Sequence, residues 1–326
     1  MSAPYAVRLF CLCVASFFVV NAGAGLLVSA ASRRALRFAE TMRAGAAARF
    51  LFAMRILPCA VGIGAVLGLC VPSYLWFEPQ ATPERVGVAC LALVVLGAGS
   101  WLVSAARVSR AVVISERWRR IWKETGREDR VAGERAQAMV VEKEAPLLAM
   151  AGILRPRLIV SRGVLRALSA DQLEVALQHE NAHRVSRDNL KRFFLLMVPD
   201  AMPFMRGFGV LEEAWARFAE WAADDAAVQG DSNRAVTLAT ALLRVARMGS
   251  GPRLSFLHTS LVAGDRDLSA RVERLLEFET AGAQRGARTR AFPLGVSFGM
   301  AALIAALLAV PALLSSVHRL LELFLH

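Results

Sequence analysis

The chain has 326 residues, with 39 Lys and Arg against 27 Asp and Glu, for a formal net charge of +12. Hydrophobic residues make up 56% and mean hydropathy is +0.45. That is too apolar for an ordinary soluble domain and directs attention to membrane-spanning segments. The positive charge gives little support to nucleic-acid binding, because basic residues cluster beside apolar runs, where anionic lipid head groups attract them. The length leaves room for one or two domains with a core of their own.

Four charge-free runs exceed the roughly 20 residues a spanning helix needs: 9–32, 56–77, 86–106 and 291–317. The first reads as a retained helix rather than a signal peptide, being long for an h-region and lacking a clear cleavage site. The connection after it carries Arg33, Arg34, Arg37, Arg43 and Arg49 against Glu40 alone, and Arg107, Arg110, Arg117, Arg119, Arg120 and Lys123 follow the third run. The positive-inside rule therefore places both stretches in the cytoplasm and both termini outside, in a plasma (inner) membrane. Asn21 and Arg55 are the notable polar groups near the spans, with Arg55 expected to snorkel at the cytoplasmic end. Pro58 and Pro72 read as an ordinary kink or helix end. All five cysteines fall in the proposed spans. That excludes a cysteine-based zinc site or nucleophile between 107 and 290, and suits a reducing compartment.

The segment 107–290 is the place for a soluble domain. Residues 107–137 read as a charged helix leaving the membrane. "AMVVEKE" (138–144) and "RPRLIVS" (155–161) are rich in β-branched residues and bounded by Gly152 and Pro156, which predicts a small sheet or hairpin. An edge strand there can accept an extended substrate by main-chain hydrogen bonds. "SADQLEVALQHENAHRVSRDNLKRFFLL" predicts one helix, with Ser169 and Gln172 as a capping box. Residues 193–205 are apolar but hold Asp200 and two prolines, and are too short to span. Further helices are predicted over "LEEAWARFAEWAADDAAVQG", "AVTLATALLRVARM" and "DLSARVERLLEFE".

HENAH, residues 179–183, carries the chemistry. On a helix His179 and His183 lie four residues apart and share a face, so both imidazoles reach one metal ion. Glu180 points to a neighbouring position, where it can act as a general base on a water molecule without ligating. A catalytic zinc wants a third protein ligand and an open position. In "AEWAADDAAV", Glu220 is the candidate ligand, and Asp224, one turn later, is placed to accept the other ring N–H of a ligating histidine.

HENAH followed by an E-x-x-A-D helix resembles the gluzincin membrane metallopeptidases, which include the HtpX-like and CAAX prenyl protease group and the BlaR/MecR-type antirepressor group. The preceding "GILRPRLIVSRGVLRALSADQLEVALQ" and the later "LSARVERLL" are similar to both. The resemblance covers about 140–280. It implies one Zn2+ held by His179, His183 and Glu220, Glu180 as catalytic base, and Asp224 as support for a ligand. An oxyanion stabiliser is also required; Arg271 and His258, in "FLHTS", are the candidates, a surface role being as open for each. Arg217 is a further group that can hold the Glu220 carboxylate.

Three spans before the domain and one after resemble the BlaR/MecR arrangement more than the HtpX-like one. The chain runs only nine residues past 317, so the β-lactam sensor of that group is not expected. The expected protein is therefore mainly α and integral to the membrane. Three helices lie in 1–106, a cytoplasmic α+β zincin-like domain with a small sheet in 107–290, and a fourth helix with a short tail in 291–326. The expected activity is zinc endopeptidase, with a winged-helix repressor of the BlaI/MecI type or a membrane protein as substrate, lipid as its surroundings, and self-association compatible with the fold. Quality control of the HtpX-like kind, and a non-catalytic receptor or scaffold with a zinc site, are the alternatives.

Overall fold

The computed structural model describes residues 4–77, 87–131, 136–200, 206–249, 259–260 and 265–280. The expected span at 291–317 and the candidate His258 lie outside the described residues. Among the described residues, three stretches are long and apolar enough to cross a membrane: Tyr5–Glu40, Ala44–Phe77 and Val88–Thr125. The first is helix α1. The second is α2 (Ala44–Ala65), continued through a π turn at Val66–Cys70 into α3 (Val71–Phe77). Pro58 sits inside α2 without ending it, and the π turn lies just ahead of Pro72, whose missing N–H disturbs the regular ladder there. The third is α4 (Val88–Thr125).

These helices run well past the apolar stretches of the sequence. Arg33, Arg34 and Arg37 belong to α1 and Arg49 to α2, so the basic connection reduces to residues 41–43. The charged helix expected through 137 stops at Thr125, and Gly126 turns the chain into a strand. A Cβ on Gly126 would meet the Trp122 carbonyl oxygen at 2.6 Å and Met139 Cγ at 2.8 Å, so the strand can leave this close to the helix only through glycine.

A five-stranded sheet follows among the described residues: β1 (Gly126–Val131), β2 (Ala136–Val141), β3 (Leu148–Ala151), β4 (Arg157–Ser161) and β5 (Thr259–Ser260), in the order β1-β2-β4-β3-β5. The two predicted strands are β2 and β4, but they lie parallel and do not form a hairpin. The hairpin is β3–β4, turned at Gly152 with φ 111°. The second edge of β3 is paired at Ala149 and Met150 with β5.

Then come α5 (Arg162–Ala167), α6 (Ala170–Ser186), α7 (Asp188–Met197), α8 (Arg206–Val228), α9 (Ser232–Arg247) and α10 (Asp265–Thr280). The capping box at Ser169 and Gln172 forms as the sequence predicts. The single helix predicted through 196 is broken at Arg187, a left-handed residue with φ 56° that ends α6 and starts α7.

Alternation along the strands divides two cores. Ala138, Val140, Leu148, Met150, Leu158 and Val160 face α6 and α9. Val141, Ala149 and Ile159 face the other way, onto Trp122 and Trp118 at the end of α4. A third core joins α8 to the long helices: Phe208, Leu211, Trp215 and Phe218 pack on Val28, Ala39, Ala47 and Leu51. The approach of α8 to α1 is close at Gly207, where a Cβ would lie 2.8 Å from Ser29 Cα. Gly207→Ala is therefore expected to cost about 1–3 kcal/mol of stability, as overpacking does. Thermal unfolding of the solubilised protein measures it, and an unchanged midpoint would mean that α1 and α8 part freely.

Candidate metal centre

α6 brings His179, Glu180 and His183 to its buried side; they are 0%, 0% and 2% exposed. α8 lies against α6 and supplies Glu220, 4% exposed. His179 Nε2 and His183 Nε2 are 3.2 Å apart, Glu220 Oε2 is 3.5 Å from the first and Glu220 Oε1 3.6 Å from the second. Four-coordinate zinc with bonds of about 2.0–2.1 Å places its ligand atoms about 3.3 Å apart, so these three groups converge at the spacing such an ion requires. Both Glu220 oxygens are buried without a hydrogen-bond partner among the described residues, an arrangement that a cation relieves. The residues present thus fit a zinc ion.

The far nitrogens of both imidazoles meet carboxylates. Asp224 Oδ1 lies 3.0 Å from His179 Nδ1, and Asp188 Oδ2 lies 2.7 Å from His183 Nδ1. The Asp188 hydrogen bond fixes the His183 ring with Nε2 toward the centre, while Asp224 faces His179 Nδ1 at ion-pair distance. Asp224 was a sequence candidate; Asp188 was not. The left-handed Arg187 folds the chain back so that the first residue of α7 returns beneath His183. Lys191, one turn on, donates to Asp188 Oδ1 at 2.9 Å. An acidic residue five positions after the second histidine was the available sequence signal, but an unbroken helix would have carried it away from the ring.

Arg271 of α10 is 2% exposed and so does not lie on the surface. Its Nε and Nη2 donate to the two oxygens of Asp224 at 2.9 and 2.7 Å, and its Nη1 stands 3.2 Å from Glu220 Oε2. Arg192 is 3.8 Å from the other Glu220 oxygen. Arg217 instead stacks on Phe218 and Trp221, 5.7 and 5.5 Å from the ring centroids.

The electrostatics follow from burial against this ring of charge. Burial opposes ionisation of Glu220, but His183, His179 and Arg271 hold it well below the usual carboxylate range. Burial likewise works against ionised Asp188, yet His183 and Lys191 keep it down at about 2. Burial also opposes a charged His183; Glu220 and Asp188 outweigh it and lift the imidazole to about 10. The carboxylates therefore favour positive charge between them. Glu180 goes the other way: burial raises its carboxyl to about 7, with His179 and His183 pulling it back. Its Oε2 accepts the Met150 N–H at 3.1 Å, while Oε1 has no hydrogen-bond partner among the described residues. Asn189 Nδ2 donates to the Met150 and Gly152 carbonyls, both at 2.9 Å, so β3 is tied to both helices of the motif. A cavity of about 1010 Å3 opens beside Glu180, walled by Met150, Leu158, Leu177 and Asn181.

Residues 115–254 match the model of peptidase family M48, which indicates a metallopeptidase of a family that uses zinc. The matched stretch includes α6 and α8 with all three converging groups. No curated protein and no solved structure matches the chain. Asp188→Asn keeps the size of the side chain but removes the charge that faces His183 Nδ1. It is expected to weaken zinc binding about 10–100-fold, measured by competition with a chromogenic chelator. An affinity equal to that of the exposed control Asp171→Asn would contradict the role of Asp188.

Proposed function

We propose that the protein is an integral membrane zinc endopeptidase, with His179, His183 and Glu220 as metal ligands and Glu180 as general base. The observation that carries this reading is the buried convergence of the three ligand groups beside a carboxylate that has one oxygen unengaged. A bound zinc ion supplies a Lewis acid and makes water a nucleophile near neutral pH. Glu180 is held by the Met150 N–H through Oε2, which leaves Oε1 to accept the proton of the attacking water and pass it to the leaving amine. A carboxyl raised to about 7 suits both halves of that exchange. Asp224 and Asp188 keep the two rings oriented, and Arg271 holds Asp224 and Glu220 in place.

The substrate in this proposal is a regulatory protein cut on the cytoplasmic side, such as a winged-helix repressor. Three long apolar helices ahead of the domain support that reading. The packing of α8 on α1 and α2 supports a second one, quality control of membrane proteins, because it sets the catalytic helix beside the bundle. Glu180→Gln is expected to bind zinc normally and to lose about 10²–10⁴-fold in cleavage. Proteomic comparison of cells carrying the native and E180Q proteins separates the two readings: one accumulating regulator indicates signalling, and many accumulating membrane proteins indicate quality control. Unchanged proteolysis in E180Q would sink the mechanism.

The proposed orientation puts the domain in the cytoplasm and the 78–86 connection outside. Cysteines introduced at Gln80 and at the exposed Glu124 are then expected to react with an impermeant maleimide from opposite sides. Labelling of position 124 from outside would reverse the orientation.

A further inference from the structure

Arg55 is 2% exposed in α2, which does not fit a side chain snorkelling to the membrane surface. Its Nε donates to Glu212 of α8 at 2.6 Å and its Nη2 donates to Asp200 at 2.5 Å. The guanidinium also lies over Phe208, 4.5 Å from the ring centroid. Arg107 of α4 donates to the second oxygen of Asp200 at 2.8 Å. Ser104, also of α4, donates to the Val198 carbonyl at 3.2 Å, and Asn21 of α1 donates to the Pro199 carbonyl at 3.1 Å. Residues 198–200 are thus held by side chains from α1, α2 and α4 at once.

These three residues follow α7, whose first residue supports His183, and α8 carries Glu212 eight positions before Glu220. A buried guanidinium needs an acceptor oxygen on each side of its fork, since loss of either leaves buried N–H groups unmatched. The planar fork of Arg meets two carboxylates from different segments, which the point charge of Lys does not. α8 cannot slide along α2 without breaking this arrangement, and the axial position of α8 sets the reach of Glu220 to the two histidines.

We propose that Arg55 is a positioning residue for Glu220: through Glu212 and Asp200 it locks the metal-holding helix α8 to the membrane-spanning helices. This rests on the metal-centre reading above. A displacement of α2 against α4 is thereby passed to Glu220, although Arg55 touches no ligand itself.

The full-length chain in lipid nanodiscs tests this with Glu212→Ala and Arg55→Lys, the exposed Glu213→Ala as control, and Glu212→Gln as the conservative variant. Zinc affinity is read by chelator competition, ligand geometry by the visible spectrum of the cobalt(II)-substituted protein, and the order of α8 by hydrogen exchange of residues 216–224 without metal. E212A and R55K are expected to lose about tenfold in zinc affinity, to shift the cobalt bands, and to speed exchange over 216–224. E213A and E212Q are expected to match the native protein, because the amide oxygen of E212Q still accepts the Arg55 N–H. Native values in both E212A and R55K overturn the proposal, as does an E212Q protein as impaired as E212A. A native protein that binds no zinc, but whose 216–224 exchange rises in E212A and R55K, removes the peptidase reading and leaves the lock standing.

Discussion

Four carboxylates, Glu180, Asp188, Glu220 and Asp224, lie buried around two imidazoles, and the need to compensate them organises the domain. An ionised carboxylate away from water costs several kcal/mol unless it is paired and hydrogen-bonded. Each of the four has a different answer. Asp224 takes both arms of Arg271, Asp188 takes His183 and Lys191, and Glu180 takes one backbone N–H and a raised pKa. Glu220 faces both rings and Arg271, yet its oxygens accept no hydrogen bond among the described residues. The least satisfied acid is thus the one pointed where a dication would bind. A polar network built only for stability would not leave its central member in that state.

α8 is where this centre meets the long apolar helices. One helix of 23 residues uses Phe208, Leu211, Trp215 and Phe218 to pack on α1 and α2, and Glu220 and Asp224 to complete the site under α6. The two tasks share a rigid rod, so the metal centre and the helix bundle are mechanically continuous. Backbone contact at Gly207 and the Arg55 ion pairs remove the slack that a loop-tethered domain would have.

Local patterns in the sequence were enough to read the motif helix, its capping box and the later acidic helix, because spacing within one helix decides what shares a face. Asp188 escaped, since its contact depends on a left-handed arginine, a conformation that non-glycine residues rarely take and that costs about 1–2 kcal/mol. β3 escaped because its residues, Leu148–Ala151, are good helix formers held extended by β4, Glu180 and Asn189. β1 carries charges at four of its six positions and has no apolar alternation to announce it. The pairing of Arg55 has no local signal, because its partners lie 145 and 157 residues further along the chain.

The lengths of the helices give these separate features one geometry. At 1.5 Å per residue the 36 residues of α1 extend about 54 Å and the 38 of α4 about 57 Å, against a hydrocarbon core of about 30 Å. Each helix is therefore about 20 Å or more longer than such a layer is thick, and Arg33, Arg34 and Arg37 of α1 and the arginines of α4 follow their apolar stretches on the further turns. The end of α4 delivers Trp118 and Trp122 to the outer face of the sheet, while the ends of α1 and α2 receive α8. The domain is thus gripped from two sides by continuations of the spanning helices. What lies between the sheet and α8 is α6 with its two histidines.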